Sequence, residues 1–235
     1  MRARGKCISA ILLGAGQSTR MGRNKLALPW GRKTVFGRCL ETLLHSELKE
    51  VNVIFSEKNR AVTDGVKDYP TTLRAKIRLV RNPCPWRGMS GSIRRGVKSL
   101  RPDSQGVLIA LGDQPLLRRR TINALIRAFT PGDGKIVAPF YGRRRGNPVL
   151  FDRSYIGKLS KLRGDAGGRS IIDSHPDKVI RVRTRSAAVL KDIDTWEEYS
   201  RQKASKTRNQ RSELRGQKAK TRAHNRQQQR EGRGC

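Results

Sequence analysis

The chain has 235 residues, and its 52 Lys and Arg stand against 19 Asp and Glu for a formal net charge of +33. That length allows one well-cored domain with or without a tail, and the charge attracts polyanions of any kind without specifying a fold. No apolar run approaches a membrane span, and Cys7, Cys39, Cys84 and Cys235 stand far apart with no C-x-x-C; this argues against a membrane partner, a zinc site and a disulfide framework, and a cytoplasmic protein is the expectation.

In chain order, Ile8–Leu13 reads as a buried strand, and Val35–Leu44 as a helix with Val35, Phe36, Leu40, Leu43 and Leu44 on its apolar face. Val51–Phe55 and Ile77–Val80 follow as strands, with a helix over Asn59–Lys67 between them that Gly65 weakens. Met89–Leu100 reads as a helix through Ile93, Val97 and Leu100, with Ser90 or Ser92 near its start. Val107–Leu111 is the most apolar strand, and Thr121–Phe129 a helix with Thr121 as N-cap. Strands and helices alternating at this spacing imply βαβ units and a mostly parallel sheet covered on both faces.

From Lys135 the pattern changes. Ile136–Pro139 and Val149–Phe151 read as short strands joined by a basic, Gly-rich loop over Tyr141–Pro148. Helices are expected at Tyr155–Leu162 and Arg169–Ser174, a strand at Val179–Val182 and a short helix at Trp196–Tyr199. Beyond Tyr199 apolar residues nearly vanish. Residues 201–235 hold twelve Lys and Arg against Glu213 and Glu231, so +10 of the charge lies there and +23 in the rest. The reading is a domain over residues 1–200 and a disordered basic tail over 201–235, because the tail cannot bury enough surface to offset ordering entropy.

The stretch most suggestive of chemistry follows the first strand: Gly14-Ala15-Gly16-Gln17-Ser18-Thr19-Arg20-Met21-Gly22-Arg23-Asn24-Lys25. Glycines let backbone N–H groups approach an anion, and Arg20 and Lys25 add full charges. Thr19 stands where a dinucleotide fingerprint needs its third glycine, and no Gly-Lys-Ser/Thr follows as a Walker loop requires. A phosphate loop of another kind is therefore expected, a plain tight turn being the alternative. Further constellations fall at strand carboxyl ends, where parallel sheets bind ligands: Asn82–Ser92, Leu111-Gly112-Asp113-Gln114-Pro115 and Asp192-Ile193-Asp194. Asp113 could cap the turn into Pro115. Beside a cationic phosphate loop, the stronger reading is that it holds Mg²⁺ together with a carboxylate of the Asp192/Asp194 pair.

The ordered set Gly14–Lys25, Gly88-Met89-Ser90-Gly91-Ser92-Ile93, Leu111–Pro115, Gly146-Asn147-Pro148, Leu162-Arg163-Gly164-Asp165 to Arg169, and Asp192–Thr195 resembles the MobA-like nucleotidyltransferases, most of all their molybdenum cofactor cytidylyltransferase branch. The resemblance runs from about Cys7 to Tyr199 and implies a three-layer α/β/α Rossmann-like nucleotidyltransferase fold. It implies an enzyme that moves CMP from CTP to the terminal phosphate of molybdopterin, releasing pyrophosphate with Mg²⁺ as cofactor. Arg20, Lys25 and Asp113 would be catalytic. Ala15, Gly16, Ser18, Arg20, Lys25, Gly88, Ser90 and Ser92 would bind nucleotide, Asp113 and Asp194 the metal, and Asn147 and Asp165 the phosphorylated pterin-type acceptor. Ala15 favours CTP over GTP, and a molybdoenzyme maturation partner is implied. Two positions depart from the pattern: Trp196 stands where proline is usual, and Asn147 where histidine is commoner. The alternatives are a guanylyltransferase, a cytidylyl- or uridylyltransferase for another small phosphorylated acceptor, and a basic nucleic-acid-binding protein that reuses the fold; the last lacks aromatic residues interleaved with its charges.

Overall fold

The computed structural model describes residues 5–16, 21–59, 61–165 and 167–205. They divide into two compact units, the first ending at Asp194 and the second starting at Thr195. The first opens with β1 (Ile8–Leu13), a small hairpin of β2 (Pro29–Trp30) and β3 (Lys33–Thr34), and helix α1 (Val35–Leu44). Next come β4 (Glu50–Phe55), α2 (Ala61–Asp64), α3 (Thr71–Arg74), β5 (Ile77–Arg81), α4 (Met89–Lys98), β6 (Gly106–Leu111) and α5 (Arg119–Ala128). The last third supplies β7 (Ile136–Tyr141), β8 (Arg144–Arg145), β9 (Val149–Asp152), α6 (Ile156–Ser160), α7 (Arg169–Asp173) and β10 (Val179–Arg183).

The main sheet runs β5-β4-β1-β6-β9-β7-β10, with β8 paired to β7. Only β8 and β9 run antiparallel to their neighbours. Period-two alternation sorts the two faces. Ile8, Ala10 and Leu12 of β1 and Leu108 and Ala110 of β6 join one cluster with α1 and α5. Ile11 of β1 and Val107 and Ile109 of β6 join a second cluster with α4, α6 and α7. The result is the expected α/β/α stack.

Both edge strands carry two arginines among apolar residues, Ile77-Arg78-Leu79-Val80-Arg81 in β5 and Val179-Ile180-Arg181-Val182-Arg183 in β10. Charges on an edge oppose pairing with another chain. Helix α1 is capped as its sequence suggests, with Thr34 Oγ1 accepting from Gly37 N at 3.0 Å. Helix α4 sits close on β1 because Gly96 has no side chain: a Cβ there would lie 2.6 Å from Ile11 Cγ2 and 2.8 Å from Cδ1. Gly96→Ala is therefore expected to destabilise the domain by about 1–3 kcal/mol through overpacking, despite better helix propensity. Thermal unfolding should show a midpoint lowered by several degrees.

Four local expectations are corrected. Helix α5 starts at Arg119 behind an extended Arg118 that makes no side-chain cap, and Thr121 is buried inside the helix, so it is not the N-cap. The stretch read as a helix over Asn59–Lys67 yields only α2, which stops at Asp64 before Gly65. The basic stretch read as a loop contains β8, turned back on β7 through Gly142 at φ +58°; its polar residues give no strand signal. The helix expected at Trp196–Tyr199 runs over residues 196–205. It opens on a reciprocal cap: Thr195 Oγ1 accepts from Glu198 N at 3.2 Å, and Glu198 Oε2 accepts from Thr195 N at 3.0 Å. Residues 201–205, read as the start of a disordered tail, thus belong to a helix, and residues 206–235 lie outside the described residues. Among the described residues no helix is long and apolar enough to cross a membrane.

Candidate functional site

The chain leaves β1 for β4 and β5 on one side, then returns to place β6 on the other. The strand order therefore switches between β1 and β6, which is where an open α/β sheet forms a ligand crevice at its carboxyl ends. Leu13 and Leu111 are paired at that end, so the segments beginning at Gly14 and Gly112 emerge side by side. Gly112 N donates to Leu13 O at 3.0 Å and Gly14 N to Ile54 O at 2.8 Å. The Phe36 ring is wedged beneath both: a Cβ at Gly14 would stand 2.7 Å from its Cε2, and one at Gly112 2.6 Å from its Cδ2. Gly14 is thus demanded by packing rather than by ligand approach. Gly16 is the open one, since a Cβ added there would meet nothing within 4 Å.

Lys25 begins a short 3₁₀ turn capped by Asn24, whose Oδ1 accepts from Leu26 N, while Leu26 is buried in the core beside α1. This anchoring aims the Lys25 ammonium at two carboxylates. Its Nζ lies 2.7 Å from Asp113 Oδ2 and 2.7 Å from Asp194 Oδ1. Asp113 and Asp194 are distant in sequence and are brought together by backbone bonds. Val189 O accepts from Asn147 N at 2.9 Å and Asp113 O accepts from Ile193 N at 3.0 Å, so the segment 189–193 bridges β9 and β6. The side chains of Lys25 and Asp113 are only 14% and 17% exposed. Burial by itself would lower the Lys25 pKa, but the charge and hydrogen bonds of Asp113 and Asp194 outweigh it and hold the ammonium above its ordinary value. The stability this pairing contributes is present below the free-lysine pKa and is lost only as pH rises through the raised one. Cys39, buried on α1, has its thiol pushed up by burial and by the Asp113 charge, so it stays protonated and inert.

Asp113 Oδ1 is buried and has no hydrogen-bond partner among the described residues. An orphaned carboxylate oxygen is costly unless something cationic completes it. Among the described residues no three His, Cys, Asp or Glu gather to enclose a metal. Two hard carboxylates with one free oxygen suit a small divalent cation that keeps water and phosphate oxygens in its other positions.

The segment after β5 is tightly held. Asn82 Nδ2 donates to Ser92 Oγ at 3.0 Å, and Asn82 Oδ1 accepts from Cys84 N at 3.1 Å. Gly88 turns at φ +78° into α4, and a Cβ there would be 2.6 Å from Gly164 O and would clash with Asp165 Oδ1. Ser90 N donates to Gly164 O at 3.2 Å. The Gly88–Ser92 and Gly164–Asp165 segments, expected on different substrates, therefore touch. Ser90 and Ser92 are both buried, with the Ser92 hydroxyl turned inward to Asn82. Asn147 precedes β9, and the antiparallel register Ile109↔Val149 carries it to the Leu111 end of β6. Ala15 is buried in the cluster under α4, so a change there acts on packing beneath the loop. Ser18 and Arg20 lie outside the described residues.

Asn59 belongs to none of the sequence motifs, yet it holds the opening turn. Buried just past β4, it donates from Nδ2 to the carbonyls of both Gly14 and Gly16. The only sequence signal is a polar residue shortly beyond the carboxyl end of a strand adjacent to β1.

A sequence model of the MobA-like NTP transferase domain matches residues 10–179. Among curated proteins, the chain is 30% identical over 194 residues to the purine catabolism protein PucB of Bacillus subtilis, covering 80% of this chain and 92% of that one. It is 28% identical over 204 residues to the nicotine blue oxidoreductase of Paenarthrobacter nicotinovorans, covering 83% and 96%. It is 22% identical over 194 residues to the molybdenum cofactor cytidylyltransferase of Escherichia coli, covering 82% and 93%. Of solved structures, an Rv0371c homologue from Mycobacterium sp. strain JC1 superposes with a TM-score of 0.70 at 28% identity, covering 86% of this chain and 97% of its own. A nucleotidyl transferase from Methanothermobacter shares the fold with a TM-score of 0.74 at 20% identity, covering 87% and 100%.

Proposed function

The chain belongs to the family of MobA-like NTP transferase domains, and from that premise we propose that it transfers CMP from CTP to the terminal phosphate of a molybdopterin-type acceptor, releasing pyrophosphate. The observation that carries the reading is the Asp113–Lys25–Asp194 cluster at the switch between β1 and β6, with one Asp113 oxygen buried and, among the described residues, unpartnered. The likeness to a cytidylyltransferase along most of both chains supports the choice of nucleotide and acceptor.

In this mechanism Lys25 lies against the nucleotide phosphates and, with Arg20, offsets charge that builds on the leaving pyrophosphate. Asp113 and Asp194 would hold Mg²⁺, which supplies charge neutralisation at the triphosphate. The Gly14–Gly16 turn and the Gly88–Ser92 segment orient base and sugar, while Asn147 and Asp165 face the acceptor. An acceptor phosphate is largely ionised at neutral pH, so no side chain has to remove a proton from the attacking oxygen. The two histidines among the described residues agree with this: His45 ends α1, and His175 is occupied by Ile171 O and Lys158 Nζ. Catalysis then rests on alignment and charge compensation.

Pyrophosphate release from CTP, GTP, UTP and ATP, each with molybdopterin and with its molybdenum-loaded form, tests the proposal. CTP with a pterin acceptor is expected to win, and no release from any pair overturns it. Asn147 in place of the commoner histidine favours a second reading, a different phosphorylated acceptor; release from CTP with a sugar phosphate but not with the pterin selects it. RNA binding that is lost with residues 201–235, in a protein without transfer activity, would select the nucleic-acid reading.

Asn59 should act on nucleotide positioning. Asn59→Ala removes both bonds to the Gly14–Gly16 turn, and the KM for CTP is expected to rise about tenfold, the equivalent of roughly 1.4 kcal/mol. Steady-state kinetics should show kcat changing by less than KM.

A further inference from the structure

At the opposite end of the sheet lies a cavity of about 570 Å³ lined by Lys6, Lys49, Lys76, Arg127, Glu47 and Leu48, among others. Its position follows from the strand order. Lys49 immediately precedes β4, Lys76 immediately precedes β5, and Lys6 stands two residues before β1, so neighbouring parallel strands each deliver a lysine at their amino ends. Adjacent strands lie about 4.8 Å apart, and six-residue β1 puts the length of the sheet, roughly 20 Å, between this cavity and the Asp113 cluster.

The cations there differ in their partners. Arg127 Nη1 pairs with Glu47 at 3.3 Å, and Lys6 Nζ donates to Ile126 O at 3.0 Å and Arg127 O at 2.9 Å, filling the C-terminal end of α5. Lys49 and Lys76 form no ion pair among the described residues, although several exposed basic side chains elsewhere do, such as Arg101 with Asp103 and Arg81 with Glu57. An ammonium has three donors, so Lys6 keeps one in reserve. Like charges gathered in one concavity repel one another and focus a positive potential into it. Glu47, already engaged by Arg127, is the one acidic residue of the lining.

We propose that this cavity is a second binding site, separate from the catalytic crevice, for a short chain of phosphates carrying several negative charges. Lys49 and Lys76 supply the main contacts, with Lys6 and Arg127 at the margin. The ligand chemistry is that of a linear polyphosphate or the polyphosphate arm of a nucleotide. The site does not depend on the transferase reading, because no residue of it belongs to the crevice.

Inorganic tripolyphosphate is the probe, titrated calorimetrically into the full chain, into Lys49→Glu/Lys76→Glu, and into a charge-matched control, Arg95→Glu/Lys98→Glu, on the exposed side of α4. Native protein and control are expected to share a binding phase that the cavity variant weakens at least tenfold. Tripolyphosphate should raise the thermal midpoint of native protein and control but raise that of the cavity variant less. Repetition with CTP assigns the source: competition with tripolyphosphate at this phase means that a nucleotide arm is accepted, and its absence restricts the ligand to free polyphosphate. Equal weakening in both double variants, or full binding by the cavity variant, overturns the proposal. Lys49→Gln/Lys76→Gln, which reverses no charge, must show the same loss for the proposal to stand.

Discussion

Asp113→Ala is expected to lower turnover by about 10²- to 10³-fold at saturating Mg²⁺ while changing CTP affinity only a few-fold. Two features of the structure make this a test of chemistry rather than of folding. The bond that positions Asp194 runs from Ile193 N to the backbone carbonyl of Asp113 and survives the substitution. The side chain removed carries a buried oxygen with no partner among the described residues, so relief of its desolvation cost offsets part of the lost ion pair with Lys25. Asp194 remains on Lys25, so the thermal midpoint should move by only a few degrees while activity collapses. Pyrophosphate release and a calorimetric CTP titration read the two halves; near-native turnover in this variant would remove Asp113 from its proposed role.

Lys25→Met should be nearly as damaging to turnover, with a different signature. The Asp113 and Asp194 oxygens are separated by less than the sum of their two 2.7 Å bonds to Lys25 Nζ. Without the ammonium, two carboxylates face each other at that range. They should bind Mn²⁺ in the absence of nucleotide at least tenfold more tightly than the native protein does, a change that paramagnetic resonance can follow. They should also repel, so the thermal midpoint of Lys25→Met is expected to fall at neutral pH and low ionic strength. Mn²⁺ held between them should recover part of that deficit. Midpoints measured with and without Mn²⁺ check this, and a deficit that the metal leaves unchanged would mean that the two carboxylates do not act together.

The contrast between Asp113 and Asn59 shows what a sequence can disclose. Asp113 follows the most apolar strand and precedes a proline, so its place at a carboxyl end is local information. Asn59 takes its role only through contact with a turn more than forty residues away. Gly14 shows a related gap, since glycine after a strand suggests close approach without saying to what; here it is the Phe36 ring. The basic stretch containing β8 reads as loop because pairing with β7 supplies what its own residues do not signal.

By itself, then, the sequence determined the alternation of strands and helices, the two-sided sheet and the positions of the loops that carry charge. Those follow from apolar periodicity and strand-end residues, which act over a few positions. The tertiary structure alone decided that Asp113, Lys25 and Asp194 form one cluster, that the Gly88 and Gly164 segments touch, and that lysines from the starts of three strands share a cavity. Each depends on strand order, and strand order is set by how two apolar faces are buried together rather than by any short stretch of residues.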